Sequence, residues 1–380
     1  MDIESFRNSK AGQLVKTAGG CWAFVPNPLP PDLPWDDEVA SLLSHASHSL
    51  GGLVGLGETL PNPHLLIYPF VRREAVLSSR IEGTQSSLSD LFLFEAAHIE
   101  KQRDVKEVKN YVLALDHGMK RLEKTELNLK LIQEIHEILM HGVWQGSAHP
   151  GEFRRVQNWI GPAGCSLLNA TYVPPPVKEM TRALHDFENF LRSKEDMPTL
   201  VKISLLHYQF EAIHPFIDGN GRLGRLLIIL YLHQVKLLPK PLLYISAFFE
   251  KYRREYYEHL LQVSQKALWQ AWVKYFFRAI ITQSEDALER ARELVNLQTT
   301  YRKTVHEKQL SPSAGRVVDL IFQRPVININ SAADVLKLTF PAVSKAMKQL
   351  EDIGLLRETT GQKRNMVYVA QEILDILEKE

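Results

Sequence analysis

Two apolar helical stretches, 199–213 and 223–235, flank a segment of very different character: His214-Pro-Phe-Ile-Asp-Gly-Asn-Gly-Arg-Leu-Gly-Arg225. The first stretch is mostly apolar, and the second is apolar on nearly all sides, the pattern of a buried core helix. The segment between them therefore reads as a loop that leads into a helix N-terminus. It concentrates one imidazole, one carboxylate, three glycines and two guanidiniums.

Each of these residue types has a chemical use at this spacing. Gly219 and Gly221 let backbone N–H groups approach an anion without Cβ obstruction. Such groups at the positive end of a helix bind phosphate. Asn220 tolerates unusual backbone angles and can cap. Asp218 is a hard oxygen ligand beside that nest, suited to Mg²⁺ bridging to phosphates. Arg222 and Arg225 lie three apart on the new helix, and each can donate forked bonds to phosphate oxygens. His214 precedes the nest and can accept a proton from a hydroxyl at neutral pH. Taken singly, the histidine reads as structural, Gly-Asn-Gly as a turn and the arginines as a solvated face. Together they suit a polyphosphate.

The remaining composition narrows the class. With 380 residues the chain can hold two or three domains. Lys plus Arg total 45 and Asp plus Glu 44, a formal charge of +1, so the whole chain carries no nucleic-acid or membrane signature. Cys21 and Cys165 form no framework and match no metal spacing, which fits a reducing cytosol. Met1-Asp-Ile-Glu-Ser-Phe lacks the basic and apolar regions of a secretory signal. The apolar run 226–232 is too short to span a bilayer. A cytoplasmic protein without a membrane partner is expected.

Along the chain, residues 1 to about 35 are rich in Pro and Gly and read as an extended arm. Helical spacing follows over 36–56, from Pro69 to Gly83, over 86–97, 105–123 and 128–140, then over 177–193, 199–213, 223–235, 252–261 and 268–295. Between them, 156–160 and 171–173 read as two short strands joined by a Gly-rich turn. Residues 311–380 form a separate module. It reads as a helix over 314–322, a strand over 326–330, a helix capped by Ser331, a helix over 340–351 with Pro341 in its first turn, and a hairpin over 356–369.

The segment 214–225 resembles the Fic family signature, His-x-Phe-x-(Asp/Glu)-Gly-Asn-Gly-Arg-x-x-Arg. Every fixed position matches: His214, Phe216, Asp218, Gly219, Asn220, Gly221, Arg222 and Arg225. A looser likeness covers roughly 69–300. The resemblance implies a mostly α fold: an all-α Fic core over 105–300 with a β-hairpin flap. Before it come an arm and helical region over 1–104; after it, the element order of 311–380 by itself reads as a winged helix-turn-helix. It also implies transfer of AMP from ATP to a Ser, Thr or Tyr hydroxyl of a target protein. By that likeness His214 is the base and Asp218 holds Mg²⁺ or Mn²⁺. Gly219, Asn220, Gly221, Arg222, Leu223, Gly224 and Arg225 contact ATP, with Arg225 on the γ-phosphate. A related branch carries Lys at the position of Gly221 and transfers phosphate; the glycine here favours AMP.

Further carry-overs belong to the same likeness. Ser78-Ser-Arg-Ile-Glu82-Gly83 fits the family's inhibitory pattern, which implies that Glu82 pairs with Arg225 and holds activity down. The same glutamate could instead position a water for AMP removal. The hairpin occupies the place of a target-docking flap, with Thr171, Tyr172 and Val173 as edge residues. Tyr256 and Tyr257 sit where relatives place an aromatic residue against the base. Many relatives are homodimers. In 311–380, nine Lys or Arg face nine Asp or Glu, whereas dedicated DNA binders are usually basic. Lys345, Lys348, Lys363 and Arg364 still make a local basic patch, with Ala342 and Ser344 beside the first two. DNA contact, protein interaction and a nucleotide-sensing regulator all stay open for this module.

Overall fold

Caps and breakers set most of the helix ends. The computed structural model describes residues 1–60, 62–97, 103–143, 149–362 and 365–379. The chain opens with α1 (Ile3–Phe6), β1 (Gly12–Lys16), β2 (Trp22–Pro26), α2 (Asp37–Thr59), α3 (His64–Ile81) and α4 (Leu88–Ala97). It continues through α5 (Arg103–Leu122), α6 (Leu129–Leu139), α7 (Val177–Arg192), α8 (Thr199–Ile213), α9 (Asn220–Gln234), α10 (Ser246–Lys251), α11 (Arg253–Lys266) and α12 (Trp269–Glu307). It closes with α13 (Pro312–Gln323), β3 (Val326–Asn328), α14 (Ile329–Leu336), α15 (Phe340–Asp352), β4 (Arg357–Glu358), β5 (Val367–Val369) and α16 (Gln371–Glu378). The fold is mostly α with small antiparallel sheets. No described helix is long and apolar enough to cross a membrane. Two compact units result: Met1–Gly51, Asn110–Pro239 and Ile245–Gln283 form one, and Gly52–Lys109, Lys240–Tyr244 and Ser284–Glu380 form the other.

In the first unit α8 and α9 pack on each other, with α7 and α11 on α8 and α6 on α9. Leu131, Ile132, Ile135 and Leu139, the apolar stripe of α6, are all buried. Asn128 starts that helix, its Oδ1 accepting the Leu131 N–H at 2.9 Å. Trp272 is fully buried, and its indole N–H donates to the Ser204 carbonyl at 2.9 Å. Residues 12–26, expected as an extended arm, instead form an antiparallel hairpin with Gly12 opposite Pro26 and Lys16 opposite Trp22. Its strands pair because a turn closes at Gly20 (φ 80°) and because Phe24 packs against Phe6 and Tyr172. The expected hairpin over 156–173 shrinks to one antiparallel bridge between Ile160 and Tyr172. The prolines from Pro174 offer no N–H donors, and Arg154, Gln157 and Asn158 bond to main chain elsewhere.

In the second unit α3 packs against α4, α13 and α16. Pro69, read from sequence as the helix start, lies inside α3, which begins five residues earlier where Asn62 Oδ1 accepts the His64 N–H. Beyond Pro312 the elements run α13, β3, α14, α15, β4, β5 and α16, with the strands arranged β3-β5-β4, all antiparallel. The cap of α14 is Asn328 rather than Ser331: Asn328 Oδ1 accepts the Ser331 N–H at 2.7 Å. The sequence did not announce α16. Its final carbonyls accept from the Arg290 guanidinium, at 2.6 Å for both Ile376 and Lys379. On α15, Lys345 is exposed, while Lys348 Nζ lies 3.1 Å from both Glu351 and Asp352. Lys363 and Arg364 lie outside the described residues.

Candidate active site

Helix α8 stops at Ile213, and His214 closes it in the left-handed region (φ 48°, ψ 62°), its N–H donating to Phe210 at 3.0 Å. A β-carbon makes that conformation unfavourable, so the surroundings must hold it. They do so through the His214 carbonyl, which accepts from Arg154 Nε at 2.9 Å and Asn158 Nδ2 at 3.3 Å. The Arg154 N–H also reaches the Pro215 carbonyl at 2.9 Å, and Asn158 Nδ2 reaches that of Phe216 at 2.9 Å. Arg154 is 2% exposed, and burial brings its pKa down to about 10, which leaves it charged at neutral pH. His214 Nδ1 lies 3.3 Å from the Glu211 carbonyl. A carbonyl only accepts, so Nδ1 carries the hydrogen and the neutral ring keeps its lone pair on Nε2.

The next residues are held from below. Phe216 is fully buried and stacks on His136, with centroids 3.7 Å apart and planes 10° from parallel. His136 Nε2 donates to the Asp218 carbonyl at 3.0 Å, and Nδ1 accepts the Gly151 N–H at 2.9 Å. Burial pushes its pKa down to about 4, so the ring is neutral at pH 7 and serves as a fixed donor. Asn220, expected as a cap, turns back instead: its amide accepts from the Phe216 N–H and donates to the Phe216 carbonyl, both at 2.9 Å. Gly219 takes the N-cap position of α9 with φ 78°, where a Cβ would meet Met140 Sδ at 2.7 Å.

The first ladder bond of α9 runs from the Leu223 N–H to the Gly219 carbonyl. The N–H groups of Asn220, Gly221 and Arg222 therefore lie outside the ladder, at the positive end of the helix. Arg222 and Arg225 are 3% and 0% exposed, and Arg222 Nη2 is 3.8 Å from Asp218 Oδ1. Leu223 is fully buried. At Gly224 the two core helices nearly touch, since a Cβ there would sit 2.2 Å from Glu211 Oε1. The Asp218 side chain is 48% exposed, and its Oδ1 accepts the Gly219 N–H at 2.6 Å. No cluster of three or more His, Cys, Asp or Glu that could hold a metal occurs among the described residues. One accessible carboxylate beside an anion nest suits an ion that keeps its waters and completes its shell with phosphate oxygens, as Mg²⁺ does.

The other candidate residues divide. Tyr256 is 1% exposed and its hydroxyl lies 2.8 Å from His207 Nε2, while Tyr257 is 41% exposed. Thr171 is exposed and its N–H donates to Ile160. Tyr172 and Val173 are buried: the Tyr172 hydroxyl donates to Ala212 at 2.9 Å, and the Val173 carbonyl accepts from Phe24. In the second unit, Ser78 is buried within α3 and Glu82 is the exposed residue that ends it, followed by Gly83 at φ 104°. Sequence reasoning missed His136, Arg154, Asn158 and His207. The signal for the histidines was a polar residue set on an apolar helical face. Arg154 and Asn158 lie outside any periodic pattern.

Residues 40–120 match the Fic/DOC family N-terminal region, and residues 126–232 match the Fic/DOC family. A protein from Drosophila grimshawi named "Protein adenylyltransferase Fic" is 30% identical over 164 residues, which cover 41% of this chain and 30% of that protein. Its namesake from Aedes aegypti is 31% identical over 159 residues, covering 40% and 28%. The chain thus matches less than a third of the length of these curated relatives. Among solved structures, a Fic family protein from Desulfovibrio desulfuricans aligns with a TM-score of 0.58 at 19% identity, over 90% of this chain and 98% of its own. A Fic domain containing signaling protein from Bacteroides thetaiotaomicron gives 0.51 at 18%, over 68% and 97%. At these identities the two structures speak to the fold alone.

Proposed function

This chain carries the N-terminal and Fic domains of the Fic/DOC family, and from that premise we propose that it transfers AMP from ATP to a hydroxyl side chain of a protein. The observation that carries the reading is the placement of His214. Its Nδ1 faces the Glu211 carbonyl, so in the neutral ring Nε2 is the basic nitrogen, and the start of α9 follows within six residues. In this reading the target oxygen attacks the α-phosphorus in line, Nε2 takes its proton and pyrophosphate leaves. The α9 N-terminus and Arg222 and Arg225 neutralise the phosphates, so that positioning and charge supply most of the acceleration. Leu223 and Gly224 keep that helix seated on α8.

Asp218 would hold Mg²⁺ or Mn²⁺, which supplies charge neutralisation on the phosphates when bound. Glu82, with Ser78 one turn before it on α3, is the proposed restraint on productive ATP binding. Thr171, Tyr172 and Val173 are the proposed docking edge for the target, and Tyr257 is better placed than the buried Tyr256 to meet a ligand. Incubation with ATP labelled at the α- or the γ-phosphate tests the reaction class. Protein-bound label from the α position, lost in His214→Ala, is the expected result. Label from the γ position alone would mean phosphate transfer and would overturn the proposal.

A further inference from the structure

His207 sits two turns before His214 on α8 and is 2% exposed. Its Nδ1 lies 3.1 Å from the Gly224 carbonyl, within the stretch of α9 that carries Arg222 and Arg225. Its Nε2 lies 2.8 Å from the Tyr256 hydroxyl on α11. The carbonyl can only accept, so Nδ1 carries the hydrogen and Nε2 accepts from the tyrosine. Phe249, Tyr256 and Trp272 lie within 25° of parallel to the ring, at centroid distances of 5.9 to 6.0 Å.

We infer that His207 is a positioning residue, fixing the register of the anion-binding turn of α9 against α8 and α11. Three elements meet at this one imidazole. Helix α8 ends in the proposed base, α9 begins at the phosphate nest, and α11 carries Tyr257 to an accessible position next to Tyr256. The contact is available because Gly224 lets α8 and α9 approach closely; any side chain there would meet Glu211. Burial and the neighbouring positive Arg225 push the His207 pKa down to about 3, so the relay keeps one protonation state throughout the neutral range. Tyr256 then acts through His207 rather than on the nucleotide.

This inference rests on the AMP-transfer reading for its kinetic readout but not for its binding readout. The test uses the full chain carrying Glu82→Gly as parent, with His207→Phe, His207→Asn and Tyr256→Phe added singly. Phenylalanine keeps the ring volume and removes both bonds. Asparagine places an amide N–H where Nδ1–H was. Calorimetric titration with ATP and Mg²⁺ should give a roughly tenfold weaker Kd for His207→Phe, the loss expected for about one buried hydrogen bond. His207→Asn should recover to within about threefold of the parent, and Tyr256→Phe should fall between. In steady state the change should appear in KM for ATP, with kcat within about threefold of the parent. Equal Kd values in parent and His207→Phe, or equal losses in the Phe and Asn variants, would overturn the inference, because packing alone would then account for His207. Incorporation of α-label by the parent reports separately on the AMP-transfer reading.

Discussion

At the scale of single residues, the site is built from histidines whose protonation is settled by what each nitrogen faces. His136 and His207 are buried and neutral, and His214 sets its Nδ1 against the Glu211 carbonyl. The buried state of His207 makes a prediction about acid stability. Its folded pKa, about 3, lies below the ordinary 6.5, so on acidification the unfolded chain binds the proton first. The stabilising contribution is complete above 6.5 and is lost as pH falls from 6.5 towards 3. Between pH 7.5 and 4.5, urea unfolding of His207→Asn should lose about 2–3 kcal/mol less stability than the parent chain loses. Identical losses would mean that this histidine does not stay neutral in the fold. The motif residues themselves were legible in the sequence, because glycine, arginine and histidine at that spacing have few other uses. Their supports were not. Arg154 and Asn158 act through side-chain bonds to main-chain carbonyls sixty or so positions away, and no local pattern encodes such a pairing.

At the scale of elements, helix periodicity was read well wherever one face is apolar and the helix is long. Helices α6, α7 and α8 fall within about a residue of expectation. The failures share a cause. Segments of about two turns or fewer, such as α10 and α16, and strands of five residues or fewer, such as β1 and β2, offer few positions from which to read a period. Proline content also misled: it suggested an arm at the N-terminus, where a hairpin forms, and a helix start at Pro69, which lies inside α3. The cap of α14 offers a clean discrimination. Asn328→Ala should cost about 1–2 kcal/mol in unfolding free energy, since Asn328 both caps Ser331 and bonds to Ala96. Ser331→Ala should cost less than about 0.5 kcal/mol by the same measurement, and a reversed order would restore the serine as cap.

At the scale of the whole molecule, one compact unit holds the segment 214–225, and the other holds α3 together with residues 284–380. The residue proposed to restrain activity thus belongs to the same unit as the C-terminal module. Within that unit α3 is packed by α13 and α16, and Arg73 of α3 bonds to the final carbonyls of α16. On α15 of the same unit, Lys348 is paired with Glu351 and Asp352, while Lys345 is exposed. None of this was visible from chain order, because α3 and α16 lie almost three hundred residues apart. The central claim is that His214 and the nest beside it transfer AMP, with Glu82 holding that reaction down. Intact-protein mass spectrometry of the Glu82→Gly chain after incubation with ATP and Mg²⁺ tests it most directly. The account predicts a mass gain of one AMP that exceeds the parent's and vanishes when His214→Ala is added; an unmodified Glu82→Gly protein, or a gain that survives His214→Ala, would contradict it.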